Sequence, residues 1–146
     1  ADLASFEFGQ AFKYGADIPT ILGVAEDQSI QDAVKAAHDA GKELLVDMIG
    51  VRDVATRARE IDAFGADYIG THTGYDLQAL GQDPFEEFSV IKANVTNTKT
   101  AIAGGIKLAA ADEIKAANPD LLIIGGAIAT VDDPTAAAAE FKKLLG

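Results

Sequence analysis

Apolar residues along the chain keep two rhythms, one spacing them every three or four positions and one packing them into short unbroken runs. Residues 1–14 carry Leu3, Phe6, Ala11 and Phe12 among polar neighbours and stop at Gly15, which predicts a helix. The run 16–22 predicts a strand. Pro19 inside it assigns that strand to a sheet edge or a bulge, because proline cannot donate to a ladder. Residues 27–40 form the next helical pattern, with Ile30, Ala33, Val34 and Ala37 on one stripe and Gly41 as the stop. Residues 43–49 are almost continuously apolar, as strands covered on both faces are. A helix over 53–64, closed by Gly65, and a strand over 67–72 follow. Asp83-Pro84-Phe85-Glu86 is a helix start that runs to about Asn94, with proline at the first helical position, where an N–H has no partner. A strand over 100–103, a helix over 108–117, a strand over 121–124 and a helix over 134–145, opened by Asp133-Pro134, complete the order.

One helix and then five βα units, with no linker or low-complexity break, make a single α/β domain over residues 1–146. Strict βα alternation implies a parallel sheet, either an open α/β sheet or part of a (βα)8 barrel. In both, function belongs at the carboxyl ends of the strands. Gly-Ala-Asp at 15–17 and again at 65–67 is a weak internal repeat. A stronger one is the run Ala101-Ile102-Ala103-Gly104-Gly105-Ile106, echoed by Leu122-Ile123-Ile124-Gly125-Gly126-Ala127-Ile128. A strand that turns into a helical segment at a glycine pair offers backbone N–H groups to an anion. Two such turns side by side suggest a phosphate cradle; the alternative is two tight turns in which any side chain would clash.

The other candidates at strand ends are Gly23 with Glu26, Asp47, and His72 with Asp76. His72 could shuttle a proton near neutral pH, or simply bond the loop of Thr71, Thr73 and Tyr75. Asp47, near the end of a buried strand, needs a partner, whether as a catalytic or metal-binding acid or through a structural hydrogen bond to a neighbouring loop. Asp76 reads as the cap of a turn or short helix at 76–80, and Glu26 and Asp27 as helix-start acids. His38, in mid-helix, is expected to be solvated. No spacing amounts to a metal-site signature.

Composition narrows the partners. A net charge of −11 with no basic cluster argues against nucleic acid, whose phosphates would be repelled. It also means that a phosphate site must rest on directed amides, with or without one cation. No apolar run is long enough to cross a membrane and no signal-peptide pattern is present. The lack of cysteine excludes disulfides and thiolate metal sites, and fits a cytoplasmic location.

Several stretches follow one family's pattern: Ile21-Leu22-Gly23-Val24-Ala25-Glu26-Asp27, Leu45-Val46-Asp47-Met48-Ile49-Gly50-Val51 and Gly65-Ala66-Asp67-Tyr68-Ile69-Gly70. So do His72-Thr73-Gly74-Tyr75-Asp76-Leu77-Gln78-Ala79 and the two glycine turns. Over essentially its whole length the chain resembles the 3-hexulose-6-phosphate synthases of the orotidine-monophosphate-decarboxylase-like barrels. The resemblance implies a homodimeric (βα)8 lyase that uses Mg²⁺ to stabilise an enediolate of ribulose 5-phosphate, which attacks formaldehyde. His72 matches the family's active-site histidine, and Gly105 and Gly126, with Gly104 and Gly125, match its phosphate-binding turns. Asp2 matches the last aspartate of the Asp-x-Lys-x-x-Asp motif, which in the family works across the dimer interface. Phe6-Glu7, Gln10-Ala11 and Lys13-Tyr14-Gly15 follow it in register.

The lysine and first aspartate of that motif are absent, with the strands and acidic metal ligands that precede them in the family. The resemblance therefore implies a truncated or engineered barrel, or half of a split assembly, that keeps the phosphate-binding side and does not by itself bind Mg²⁺. The expected fold is five parallel strands in barrel-derived order, either left open or rearranged into a flavodoxin/Rossmann-like three-layer sheet with helix 3–14 on the bare face. The expected activity is that of a poor or inactive synthase; the alternative is a non-catalytic scaffold that at most binds phosphate. Expected partners are a sugar phosphate or inorganic phosphate, and a second copy or a completing chain, since open edges and an uncovered face invite association. A flavin or nucleotide binder finds little support, because no Gly-x-Gly-x-x-Gly follows the first strand.

Overall fold

The computed structural model describes residues 3–72 and 83–145. Its elements are α1 (Leu3–Lys13), β1 (Thr20–Leu22), α2 (Asp27–Asp39), β2 (Leu45–Asp47), α3 (Val54–Phe64), β3 (Tyr68–His72) and α4 (Pro84–Asn94). They continue with β4 (Lys99–Ala103), a 3-10 turn (Leu108–Ala110), α5 (Ala111–Ala117), β5 (Leu121–Ile123), α6 (Gly126–Ala129) and α7 (Pro134–Lys142). Asp2, Asp76 and the remainder of the His-Thr-Gly-Tyr-Asp stretch beyond His72 lie outside the described residues.

The five strands are parallel and lie in chain order, β1-β2-β3-β4-β5. Right-handed crossovers between strands in this order place every connecting helix on one face of the sheet. This is the barrel-derived order. The flavodoxin-like rearrangement does not occur: α1 stays in the helical layer beside α2, and Phe8 is buried in one cluster with Ile30, Ala33, Val34 and Ala37. Leu44, Val46, Met48 and Ile69 supply the sheet side of that cluster. A second cluster holds Phe88, Ile102, Ile106, Ile114 and Phe141. Helix α4 belongs to both, through Ile91 in the first and Phe88 in the second.

The opposite, concave face carries Leu22, Asp47, Gly70, Ala101 and Leu121 in one registered row and His72, Ala103 and Ile123 in the next. Leu22 and Ile123 are 47% and 43% exposed there, on the two outer strands. Lower on the same face Lys99 Nζ lies 2.9 Å from Glu43 Oε1 and 3.3 Å from the Tyr68 hydroxyl. These contacts, with the Glu43 bond first, hold the Lys99 ammonium well above its ordinary value. Among the described residues no helix is long and apolar enough to cross a membrane.

Local signals explain most boundaries. Asp83 and Asp133 cap α4 and α7 by accepting from the amides of Phe85 and Ala136. Gly65 ends α3 in the left-handed region, with φ of 83°. β1 is shorter than the run 16–22 because Pro19 precedes it, and as expected it is an edge strand. The run 43–49 contributes only Leu45–Asp47 to the ladder, and 108–117 splits into a 3-10 turn and α5. One reading is corrected: His38 is not simply solvated, since its Nε2 lies 2.9 Å from Asp67 Oδ2, which also accepts from Leu44 N. The chain brings α2 past the start of β3, and sequence spacing carries no sign of that approach.

Away from the strand ends, the Asp62 carboxylate at the end of α3 gathers the loop before β4. It accepts from the amides of Thr96, Asn97 and Thr98 and from the hydroxyls of Thr96 and Thr98, the last at 2.7 Å. Burial pushes this carboxyl up, but the donated bonds outweigh it and hold it far below the usual carboxylate range. A group so shifted adds stability above its unfolded pKa, and that stability drains away as pH falls toward the folded value. Asp62→Asn is expected to cost about 2 kcal/mol at pH 7. The gap should narrow steadily below about pH 4. Urea midpoints of both proteins at pH 7 and pH 3 check this, and a gap independent of pH contradicts it.

Candidate active site

The sheet curls so that all five strands line one cavity of about 680 Å³, β2 to β5 through their carboxyl ends and β1 through Thr20. Its wall includes Asp47 from β2, His72 from β3, the Gly104–Gly105 turn after β4 and the Gly125–Gly126 turn after β5. The structure therefore brings together His72, Asp47 and the two glycine pairs, leaves Gly23 and Glu26 off this cavity, and does not describe Asp2 or Asp76.

His72 and Asp47 are joined directly, Nδ1 to Oδ2, at 2.7 Å. Asp47 is the less exposed partner, with 16% of its side chain accessible against 41% for His72. Its other oxygen accepts from Ile49 N at 2.9 Å, so the carboxylate is oriented by its own strand's turn. A carboxylate only accepts, so the ring donates from Nδ1 and Nε2 is the nitrogen left for the cavity. Asp47 thus has the partner its burial requires, and that partner is the candidate histidine. Sequence reasoning had no means of pairing them, because 25 residues separate the two and only parallel pairing of β2 with β3 unites them.

Two further residues escaped the sequence reading. Glu87, on the first turns of α4, is half-buried within electrostatic reach of the pair. Burial pushes its carboxyl up, the Asp47 charge adds to this, and His72 opposes it. Arg57 faces a smaller cavity of about 390 Å³ between the loops after β1 and β2. Its guanidinium is consumed there, by Gly23 O and Ala25 O at 2.7 Å each and by Glu60 at 2.7 Å, so it acts as a latch between α3 and the first loop. A closely spaced Asp-x-x-x-Arg offers no sequence clue to such a contact.

The two glycine turns differ in construction. Gly104 and Gly105 take φ of 92° and 62°, two successive left-handed residues that only glycine adopts without strain. The other turn leads into the short α6, which the sequence reading missed, and Thr130 Oγ1 donates to Gly126 O at 2.7 Å to hold it. Among the described residues, the amides of Gly105, Ile106, Gly126 and Ala127 donate to no protein acceptor. Successive free amides on one wall make an anion-binding concavity.

The described residues do not by themselves make a Mg²⁺ site. That ion needs oxygen ligands in octahedral array. Both Asp47 oxygens are already engaged, and among the described residues no group of three or more His, Asp and Glu could hold a metal.

The sequence profile of the orotidine 5'-phosphate decarboxylase / HUMPS family matches residues 1–141. The chain belongs to that family. Within it, the 3-hexulose-6-phosphate synthase 1 of Staphylococcus saprophyticus is 57% identical over 144 residues, covering 99% of this chain and 69% of the relative. A 3-hexulose-6-phosphate synthase of Staphylococcus aureus is 55% identical over the same 99% and 69%. The crystal structure of the Salmonella typhimurium 3-hexulose-6-phosphate synthase superposes with a TM-score of 0.91 at 36% identity, over 99% of this chain and 68% of that one. A 3-keto-L-gulonate-6-phosphate decarboxylase from Vibrio cholerae, at 21% identity and a TM-score of 0.77, shares the fold. This member of the family thus has a barrel's strand order and curl, with function expected where His72 and the glycine turns stand.

Proposed function

We propose that the protein is a 3-hexulose-6-phosphate-synthase-like aldolase unit that holds a sugar phosphate at its glycine turns and moves a proton at His72. The observation that carries this reading is the His72–Asp47 pair, 2.7 Å apart, on the same cavity as the two turns. The reaction joins formaldehyde to ribulose 5-phosphate. Ribulose 5-phosphate loses a C1 proton to give the enediolate. A C–C bond then forms between that carbon and formaldehyde as the C=O π bond opens. The alkoxide left on the formaldehyde oxygen takes a proton back, so none is gained or lost overall. Asp47 fixes the ring so that Nε2 faces the reacting oxygens and stabilises it when it is protonated. The phosphate end is gripped by the amides of the glycine turns.

Turnover by this chain alone is weak or absent, since its described residues do not assemble the cation that an enediolate needs. The exposed Leu22 and Ile123, on sheet edges unpaired among the described residues, support association with a second copy or a completing chain. The lack of cysteine supports a cytoplasmic location. The second reading, a non-catalytic scaffold that binds phosphate, is favoured by the lack of a metal-ligand cluster among the described residues.

The test is light scattering on a size-exclusion column, with an aldol assay on the same peak using ribulose 5-phosphate, formaldehyde and MgCl2. A peak at twice the chain mass or more, with slow Mg²⁺-dependent condensation, is expected. A strictly monomeric peak removes the association. No turnover at high protein concentration removes the aldolase reading, and amide shifts at Gly105 and Gly126 on adding phosphate then decide for the scaffold.

A further inference from the structure

Backbone amides give direction to an anion but no net charge, and here net charge is the difficulty. The chain carries −11, and Asp47 already stands in the cavity wall, so a phosphate dianion meets repulsion before it meets an amide. Lys107 is the one lysine or arginine among the residues lining the cavity. Five other cations are paired elsewhere, Lys35 with Asp39, Lys42 with Asp17, Arg57 with Asp27 and Glu60, Lys99 with Glu43, and Lys143 with Glu140, while Lys13, Arg52, Lys115 and Lys142 do not line the cavity. Lys92 donates to the Ala117 and Asn118 carbonyls at the end of α5. Lys107 forms no ion pair among the described residues and is exposed.

Its place is set by the chain on both sides. Gly104 and Gly105 turn the backbone sharply after β4, and Ile106 pins the turn by burying its side chain with Ile102 and Phe88. Lys107 follows in extended conformation, φ −128° and ψ 157°, and its carbonyl accepts from Ala110 N to start the 3-10 turn. A flexible ammonium is thus mounted on a fixed backbone, directly after the free amides of Gly105 and Ile106.

We infer that Lys107 is the side-chain cation of the anion site made by the two glycine turns, and that it selects the dianion of a phosphate monoester. This rests on the phosphate reading of those turns. The ammonium supplies a charge-assisted hydrogen bond and offsets the Asp47 charge across the cavity.

The test titrates inorganic phosphate into the full ¹⁵N-labelled chain at pH 7.5, following the amide signals of Gly105 and Gly126. Lys107→Met is expected to raise the apparent Kd about tenfold and to flatten its dependence on NaCl, while Lys107→Arg stays within about threefold of the parent. Because Lys107 is exposed, both variants are expected to keep the parent's spectrum elsewhere. Equal affinity in parent and Lys107→Met overturns the role of Lys107 and leaves the amide turns standing. No shift in the parent at tens of millimolar phosphate removes the phosphate reading, and the inference with it.

Discussion

Replacing His72 with alanine is expected to lower the condensation rate by about 10²–10⁴-fold, with little change in stability. The imidazole is 41% exposed and reaches the cavity from the end of β3, so its removal opens no core. Its loss takes away the one group whose ordinary pKa lies near neutrality on that wall. Asp47→Asn sharpens the result. Asparagine keeps the shape but can offer an N–H to Nδ1, which favours the wrong ring tautomer and turns Nε2 from acceptor to donor. It should reproduce much of the His72→Ala loss in the rate while leaving phosphate-induced shifts at Gly105 in place. Steady-state rates of the three proteins in the same MgCl2-containing aldol assay make the comparison. A His72→Ala rate equal to the parent's would take proton transfer away from this residue.

Phe88→Ala is expected to cost about 3–5 kcal/mol, a large share of the stability of a domain this size. Phe88 is 1% exposed and packs with Ile102, Ile114 and Phe141, so alanine leaves a cavity that the sheet on one side cannot close. Ile91, one turn later on α4, packs into the other cluster, so the helix holds the two halves of the core together. Hydrogen exchange should therefore lose protection in β4, β5 and α5 before it does so in β1, β2 and α2. Urea denaturation combined with exchange checks both parts. Uniform loss of protection, or a cost below about 1 kcal/mol, would mean that α4 does not divide the core in this way.

The regular features of this fold are legible in the residues that make them. The stripe Ile30, Ala33, Val34 and Ala37 is buried as one face of α2, and the two Asp-Pro starts cap their helices with their own carboxylates. Lengths are less legible, because ladder pairing depends on the neighbouring strand, and 43–49 finds only three partners on each side. α6 is a single turn, too short for any periodic signal. At the site, the identities of His72 and the glycine turns were visible, whereas the His72–Asp47, His38–Asp67 and Arg57–Gly23 contacts were not. Each of those pairs residues 25 to 34 apart, joined only once strands lie side by side.

The strand order also bears on how the chain can be cut and rejoined. Since neighbours in the sheet are neighbours in sequence, each βα step completes its own ladder before the next begins. A nick or a transposed terminus in a connecting loop therefore divides a single ladder between the pieces and leaves no threaded connection to undo. The seam between β3 and β4 is the exception. Helix α4 is the connection there and serves both clusters, so a division on either side of it strands half of an apolar core in water.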